Sequence, residues 1–431
     1  MFKTSKRVII SGAIGNALEM YDYVIWGLFS VFLSAEFLPP NSKLSDIFFL
    51  FFITYILRPI GGLLGGMLAD QAGRKKILTL SILLMGFGTT AIGILPSYER
   101  IGVLAVFLLL FIRTIQVVAV TNEYISSISL LIESCDKNKK GYFGSWAAFG
   151  VNAGMLISSL TGTLILYLID QQILPQWGWR LAFIFAFITM LLGFWIRKSI
   201  PESMEFIANT ARSHERSLSH IFTETFRLLK QQRLESLVVF MLVLFGVSTT
   251  VILFVFAPTQ MVKVNHFTST QAFMINSAGL AIVTALIPTM GRFSDAYGRI
   301  CMILTGIITL TLFITPYSLC LTSGTFSEVL LSQCLMAIPC AAIFAVIPVF
   351  ITDIFPHSVR CSSANLIYSV ASCFGGGLMP WVASKLAEHY NHPQSYILVV
   401  FGVISITAIY LYIRIDNQDT NRFLLVKQYA D

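Results

Sequence analysis

The sequence predicts an all-α integral membrane protein with twelve transmembrane helices arranged as two pseudo-symmetric bundles of six. Of its 431 residues, 56% are hydrophobic and only 12% are charged, and the mean hydropathy is +0.77. Soluble proteins carry about 25% charged residues, so composition alone excludes that class. Apolar runs long enough to cross about 30 Å of hydrocarbon follow one another along the chain. A charged motif also recurs with an offset of 225 residues, which indicates two related halves.

The apolar runs, numbered as spans 1 to 12 in chain order, are separated by turn-forming and charged residues. They cover residues 8–34, 46–69, 77–96, 101–132, 142–169, 179–198, 236–262, 270–291, 300–320, 328–354, 361–387 and 395–414. The longest polar segment lies between spans 6 and 7. It divides the chain into an N-terminal six-helix bundle (1–198), a cytoplasmic interdomain linker (199–235) and a C-terminal six-helix bundle with a short cytoplasmic tail (236–431).

The basic residues are distributed unevenly between the two sides of the membrane. If the N-terminus is inside, 22 of the 29 Lys and Arg residues lie in inner segments and five in outer loops. By the positive-inside rule, this predicts that both termini are cytoplasmic. The expected location of this multi-pass protein is the plasma (bacterial inner) membrane. The net charge of +7 therefore reflects topology, and no nucleic-acid partner is expected.

Neither a metal nor an organic cofactor is expected from the sequence. The seven cysteines form no CxxC pair, and most lie inside apolar segments, where they are interpreted as small core residues. Nucleophile elbows, P-loops and metal-ligand clusters are missing from the sequence, so enzyme activity is not expected. The proton is the expected coupling ion, and the bilayer and a small solute are the expected partners of a monomer.

Two acids interrupt the apolar run of span 1. Glu19 and Asp22 are three residues apart, so they project within about 60° of one another on a helix, and Trp26 falls nearly in line with Glu19. Each acid near a helix centre costs roughly 2.5–3.5 kcal/mol on insertion scales. This stripe must therefore face protein or water, and it predicts a proton or substrate site. The alternative is a buried hydrogen-bonding anchor.

Two arginines lie at membrane depth in the first half. Arg113, near the middle of span 4, demands a carboxylate, water or an anionic group of a substrate. The alternative is an arginine fixed by the acids of span 1 and by backbone carbonyls. Arg58 precedes Pro59 in span 2 and has either a functional or an anchoring role. Glu123 lies roughly 15 Å from Arg113 along the helix, towards the cytoplasm, too far for a direct pair.

The repeated motif closes the second span of each half and opens the third. The first copy comprises Gly66, Asp70, Gly73 and Arg74, and the second comprises Gly291, Asp295, Gly298 and Arg299. Its glycines allow close helix packing, and its charges can form a latch between the halves at the cytoplasmic side. The alternative is a short basic loop that only satisfies topology. The duplication favours the latch.

With these motifs and twelve spans, the chain resembles the major facilitator superfamily and, more narrowly, its metabolite:proton symporter family. That family includes proline/betaine, α-ketoglutarate, citrate and shikimate importers. The resemblance covers nearly the whole chain and also rests on residues 57–62, Trp177–Arg180, Arg197–Ser203 and 355–380. It implies proton coupling through Glu19, Asp22 and Arg113. The candidates for the substrate cavity are Tyr21, Trp26, Arg58, Gln116, Glu123, Asn365 and Tyr368.

The chain departs from the family pattern in two places. In span 4 the usual glycines are replaced by Val117, Thr121 and Asn122, and in span 5 the residue after Trp146 is Ala147, where the family often has glutamine. Both changes leave the substrate of this chain open. Amino acids, betaines and dicarboxylic acids all suit the two arginines.

The sequence favours a proton-coupled importer of a small polar organic solute that works by alternating access. An exporter of a metabolite, drug or siderophore is the alternative. Antiporters of the superfamily usually carry a Gly-Pro pair in span 5, and no proline lies between Tyr142 and Ile169. An osmosensor is less favoured. The 17 residues after Arg414 are too few for the coiled-coil heptads that sensing relatives carry.

Overall fold

The computed structural model describes residues 2–63, 74–120, 123–133, 135, 139–199, 218–354, 360–390 and 392–428. Every regular element in these ranges is a helix, as expected for a lipid environment in which each backbone group must be hydrogen-bonded within its own segment. Nine helices among the described residues are long and apolar enough to cross a membrane. Two shorter apolar helices cover Thr79–Ile94 and Val103–Ala119.

The first half of the chain holds spans 1 to 6. Span 1 comprises Phe2–Leu28 and Ser30–Phe37, span 2 Leu44–Tyr55 and residues 58–63, span 3 Arg74–Ile94, span 4 Val103–Val120 and Glu123–Glu133, span 5 Lys140–Asp170, and span 6 Arg180–Ile184 and Ala186–Ser199. Short helical turns at Tyr98–Ile101 and Gln176–Trp179 connect consecutive spans at their ends.

The second half holds spans 7 to 12, two of which change pitch within their length. Span 7 comprises Arg233–Val251, the π-helical segment Ile252–Phe256 and Ala257–Lys263; span 8 is Ser269–Tyr297, span 9 Arg299–Ser323 and span 10 Phe326–Ile354; span 11 comprises Arg360–Ser372, the π-helical segment Cys373–Leu378 and Met379–Ala387; and span 12 is Pro393–Gln428. Pro258 and Pro380 lie at the first positions of the helices that follow the π segments, where a missing N–H is tolerated.

The observed helices begin and end within a few residues of most predicted spans, but two regions differ. Span 12 was expected to end near residue 414, and its helix continues to Gln428. The predicted interdomain linker contains a helix at Leu218–Gln231, called the linker helix below. Its apolar residues recur at helical spacing, but its overall hydropathy is low. A search for membrane spans therefore passes over it.

Span 5 packs tightly on span 1 through two glycines one turn apart. A Cβ atom at Gly150 or Gly154 would overlap the carbonyl oxygen of Ala13 or Ala17, respectively. Only a residue without a side chain allows two backbones to approach so closely, which is how membrane helices gain packing energy without a hydrophobic driving force. The spacing of these glycines therefore fixes the position of span 1, which carries the acidic stripe.

Span 5 also packs along span 8, and this contact joins the two halves. Near the middle of the contact, Asn276 and Ser277 of span 8 donate hydrogen bonds to the Ser159 hydroxyl, at 3.2 and 2.9 Å. At one end, a Cβ atom at Gly141 would lie 2.6 Å from the carbonyl oxygen of Gly291. Span 5 therefore lies between span 1 and the second half, and movement of the halves must change its contacts.

Candidate functional site

Asp22 and Arg113 lie together inside the first half. Asp22 is 4% exposed and Arg113 is 2% exposed. The two side chains are close enough for their charges to interact. Within the described part of the chain, however, Asp22 Oδ1 and the Nε and Nη2 atoms of Arg113 have no hydrogen-bond partner. Both buried groups thus keep unused hydrogen-bonding capacity, an arrangement that a proton or a small movement can change.

Aromatic rings surround the Arg113 guanidinium. Its central carbon lies 5.3 Å from the ring centroids of Tyr23 and Trp26, and 4.9 Å from that of Phe51. A guanidinium that is weakly hydrated and stacks on aromatic faces can be held in this way without a bound carboxylate. The expected pairing of Arg113 with the acidic stripe is therefore not a hydrogen-bonded ion pair with Asp22. The side chain of Glu19 lies outside the described residues.

Gln116 fixes the other side of Arg113. Arg113 Nη1 donates to Gln116 Oε1 at 3.2 Å. Gln116 Nε2 in turn donates to the Met85 carbonyl oxygen at 3.1 Å and to the Thr89 hydroxyl at 2.8 Å. These bonds tie span 4 to span 3 and set the orientation of the amide. Gln116 thus positions Arg113 and does not reach the central cavity.

A central cavity of about 100 Å³ lies between the two halves. Its polar lining comes from both halves and comprises Tyr23, Arg58, Tyr124 and Asn152 on one side and Thr250, Tyr368 and Ser372 on the other. The Tyr124 and Tyr368 rings, which belong to opposite halves, are 5.3 Å apart. The Arg58 guanidinium lies 5.8 Å from the Tyr368 ring centroid. One cationic group and three tyrosines therefore face a space of small-solute size.

The cavity and the Arg113 site share two residues. Tyr23 and Arg58 line the central cavity, and they also line a void of about 10 Å³ that reaches Arg113 and Gln116. Tyr23 also follows Asp22 directly in span 1. This shared wall connects the charge site to the place where a solute fits.

Of the seven predicted cavity residues, Arg58 and Tyr368 line the cavity. Tyr21 points elsewhere, because its hydroxyl donates to the Ala182 carbonyl oxygen of span 6 at 2.7 Å. Trp26 stacks on Phe51 with 4.7 Å between ring centroids. Asn365 is buried in span 11 away from the cavity wall. The side chain of Glu123 lies outside the described residues.

Several cavity residues carry no signal that would select them from the sequence. Tyr124, Asn152 and Thr250 lie in apolar runs where a lipid-facing, a buried and a cavity-facing position look the same. Asn152 is an exception in one respect, because an amide between Gly150 and Gly154 is an unusual choice for a tightly packed helix. Tyr23 could have been found from its position beside Asp22.

The second copy of the repeated motif contacts the first half. Asp295 Oδ1 and Oδ2 accept hydrogen bonds from the backbone N–H groups of Gly141 and Tyr142, at 2.7 and 2.9 Å. The carboxylate thus lies at the start of span 5, where the helix dipole favours a negative charge. Gly298 has a φ of +90°, a conformation that suits glycine at the turn between spans 8 and 9.

Arg299, the last residue of that motif, forms an ion pair with Asp353 at the end of span 10. Lys140, the first residue of span 5, binds the same carboxylate at 2.9 Å. Asp353 therefore joins a residue of each half. In the first copy of the motif, Gly66, Asp70 and Gly73 lie outside the described residues, as does the side chain of Arg74.

Contacts on the opposite side of the cavity also join the halves. The Thr270 hydroxyl donates to Asp170 Oδ2 at 2.6 Å, which links the end of span 5 to the start of span 8. The Phe48 and Phe256 rings of spans 2 and 7 are 5.9 Å apart. The cavity is thus bounded by contacts between the halves on both sides, as in an occluded carrier.

Comparison with known proteins identifies the family. Residues 13–285 and 238–428 match the model of the Major Facilitator Superfamily. Among curated proteins, the chain is 27% identical over 416 residues to the glycine betaine/proline/ectoine/pipecolic acid transporter OusA of Dickeya dadantii, covering 94% of this chain and 83% of that protein. It is 26% identical over 414 residues to the proline/betaine transporter of Escherichia coli K12, with the same coverage.

Solved structures show the same fold. The proton:xylose symporter XylE bound to 6-bromo-6-deoxy-D-glucose superposes with a TM-score of 0.72 at 19% identity, covering 95% of each chain. The partially occluded inward-open form of XylE from Escherichia coli gives a TM-score of 0.73 at 18% identity, covering 95% of this chain and 97% of that one. At these identities the likeness concerns the fold alone.

Proposed function

This chain belongs to the Major Facilitator Superfamily, and from that premise we propose that it is a proton-coupled importer of a small zwitterionic solute. The observation that carries the proposal is the wall shared by the charge site and the central cavity, formed by Tyr23 and Arg58. A protonation event at Asp22 is transmitted to the cavity through its sequence neighbour Tyr23. The membrane-spanning, transporting character of the chain follows from its family.

Proton coupling uses the electrostatics around Arg113. A proton from outside neutralises Asp22 or Glu19 and removes the attraction between that acid and Arg113. The guanidinium is then held mainly by Gln116 and the three rings around it. The proton cancels the negative charge and leaves the positive charge of Arg113 without its carboxylate, so the loaded protein favours a rearrangement that gives this guanidinium new partners. The two halves then rock about the cavity and release the solute and the proton inside.

The cavity suits a zwitterion. Arg58 supplies a planar donor for a carboxylate. The faces of Tyr23, Tyr124 and Tyr368 attract an ammonium group, most strongly when it is alkylated and poorly hydrated. The relatives named above transport betaine and proline. Glycine betaine or proline is therefore the proposed solute of this chain. A cavity of about 100 Å³ is small beside the roughly 300–1,000 Å³ of drug-sized sites, which argues against the export of drugs.

Transport by the purified protein in proteoliposomes tests the coupling. An imposed inward proton gradient should drive accumulation of labelled betaine or proline, and an inward sodium gradient should not. Asp22→Asn should abolish accumulation and retain exchange of solute across the membrane, because exchange needs no net proton movement. Asp46→Asn, at an exposed acid of span 2, is the matched control and should accumulate normally. Accumulation by Asp22→Asn at the wild-type level would refute coupling through this residue.

Competition measurements test the solute class. Arg58→Lys retains the charge and loses the planar fork, so it should raise the KM for the carboxylate solute by about 10-fold or more. Arg100→Lys, at an exposed arginine outside span 4, should leave KM unchanged. If neither proline nor betaine competes for uptake, and a solute without a carboxylate does, the assignment of Arg58 is wrong.

Three further expectations complete the proposal. The halves 1–198 and 236–431 move as two bodies joined by the segment 199–235, both termini lie in the cytoplasm of a bacterial inner membrane, and one copy of the chain is sufficient for transport. The positive-inside distribution supports the orientation. Labelling of single cysteines from either side of right-side-out vesicles tests it. Transport activity after reconstitution at one copy per vesicle tests the monomer.

A further inference from the structure

The linker helix, Leu218–Gln231, presents an aromatic pair that the helix bundle does not cover. Phe222 and Phe226 are 43% and 47% exposed. They are one turn apart and their ring centroids are 4.7 Å from each other. Outside a membrane span, a pair of half-exposed phenylalanine rings in contact on a strongly amphipathic helix calls for a partner surface.

The neighbouring part of the apolar face already packs against the bundle. Thr225 is fully buried, and Leu228 and Leu229 pack against the hydrophobic core. The linker helix lies against the start of span 11 through this side. The bundle therefore fixes the rotation of the helix, and this rotation leaves the aromatic pair half exposed at the edge of the buried face.

Basic side chains border the aromatic pair. At 100° per residue, Lys230 lies about 40° beyond Phe226 on the helix circumference, and Arg227 lies about 60° beyond Lys230. Both are exposed. The order around the helix is thus aromatic, then basic. This is the order in which a helix meets the acyl region and the phosphates of a leaflet.

The position of the linker helix in the chain selects a membrane over a soluble partner. The helix ends at Gln231, and span 7 begins at Arg233. Because only one residue separates them, the C-terminal end of the linker helix lies within a few ångströms of the start of span 7. The C-terminal end of the linker helix is therefore tied to the membrane surface, where lipid headgroups are the nearest partner outside the bundle.

We propose that the linker helix docks on the anionic lipids of the adjacent leaflet, with Phe222 and Phe226 inserted at the boundary of the headgroups and Arg227 and Lys230 on the phosphates. This proposal is independent of the transported solute and of proton coupling. Docking also restrains the start of span 11, on which the linker helix rests and which carries Tyr368 of the cavity wall. The leaflet composition thereby acts on the position of a cavity helix.

Amide hydrogen exchange tests the docking. The full-length protein is placed in nanodiscs of phosphatidylcholine alone, or of phosphatidylcholine mixed with phosphatidylglycerol, and exchange is measured for peptides covering 218–231. The anionic lipid should slow exchange in this segment by up to about 30-fold, the preference expected from two surface basic residues. Equal exchange rates in the two lipids would overturn the proposal.

Paired variants separate the two contributions. Arg227→Gln with Lys230→Gln should lose the effect of phosphatidylglycerol and keep the rate seen in phosphatidylcholine. Phe222→Ser with Phe226→Ser should exchange faster in both lipids. Retention of the full lipid effect in the charge-neutral pair would also overturn the proposal, because it would place the anionic contact elsewhere.

Matched controls remove the same groups from other exposed positions. Lys139→Gln with Arg414→Gln removes two exposed basic residues, and Tyr390→Ser with Tyr396→Ser removes a second exposed ring pair, whose centroids are 5.6 Å apart. Neither control should change the exchange of 218–231. Unchanged exchange in span 10 shows for every variant that the bundle is folded. A control that abolishes the lipid effect would contradict the assignment to the linker helix.

Discussion

Replacing Gly154 with alanine tests the close contact between spans 5 and 1. A Cβ atom at this position would overlap the Ala17 carbonyl oxygen and would lie 2.9 Å from the Ala17 carbonyl carbon and Cα, well inside the 3.4 Å at which ordinary contact begins. All three atoms belong to the backbone, so no side-chain rotation relieves the overlap. The two helices must move apart along their contact.

The expected cost follows from the kind of overlap. Overpacking at a rigid site lowers the free energy of unfolding by about 1–3 kcal/mol. We expect the loss for Gly154→Ala at the upper end of that range, because the new Cβ atom overlaps backbone atoms of Ala17, which cannot rotate away. The separation also moves span 1 at the turn that precedes Asp22, so the proton-driven accumulation of solute should fall more than its binding does.

Unfolding of the purified protein by increasing the mole fraction of sodium dodecyl sulfate in mixed micelles measures the first effect, and uptake into proteoliposomes measures the second. Gly12→Ala is the control. It lies on span 1, the helix that span 5 contacts through Gly154, and its Cβ would lie 3.6 Å from Ser127 Oγ, an ordinary contact. If Gly154→Ala unfolds together with the wild type, or if Gly12→Ala is equally unstable, the reasoning from backbone contact is wrong.

Three other substitutions follow from described contacts. Arg180→Lys loses a planar group that reaches two backbone carbonyls and Glu36, so the free energy of unfolding should fall by about 1–3 kcal/mol in the same detergent titration; an unchanged value would contradict this role. Asp295→Asn has one acceptor oxygen where the carboxylate has two, so the amide of Gly141 or of Tyr142, or both, should exchange faster with deuterium; unchanged exchange at both would show that they have other acceptors. Asn152→Ala removes an amide whose Oδ1 has no partner among the described residues, so KM for the solute should rise with the proton-to-solute ratio unchanged; a changed ratio would place Asn152 in the coupling.

Hydropathy predicts most of this fold because lipid leaves few alternatives. A run of twenty or more apolar residues must be a helix, so the positions of the spans follow from composition with little need for tertiary information. The same method passes over the linker helix, whose apolar residues occupy one face only. It also places the end of span 12 near residue 414, where the polar residues begin, whereas the helix hydrogen bonds continue to Gln428.

The sequence predicts how deep in the membrane the site residues lie, but not which neighbours their side chains face. Asp22, Arg58 and Arg113 can be identified from the sequence, because a charged residue in an apolar run is costly to bury and needs a partner or a function. Their contacts depend on how each helix is rotated, and in a mostly apolar helix nothing in the sequence marks the face that meets the cavity. The prediction therefore includes Tyr21, which binds span 6, and misses Tyr124. The aromatic enclosure of Arg113 draws on two different spans, and no spacing within one span reveals it.

The position of Asp353 means that the halves can separate at the Lys140–Asp353 contact with a small cost in free energy, and that the contact re-forms easily. Its carboxylate binds Arg299 of its own half and Lys140 of the other. When the halves separate, Asp353 keeps Arg299 and Lys140 passes into water. Both side chains of the broken pair are already about a quarter to a third exposed, so breaking it costs at most about 1 kcal/mol. The movement leaves no buried charge without a counter-ion, and the retained pair keeps Asp353 oriented to meet Lys140 again on the return stroke of each transport cycle.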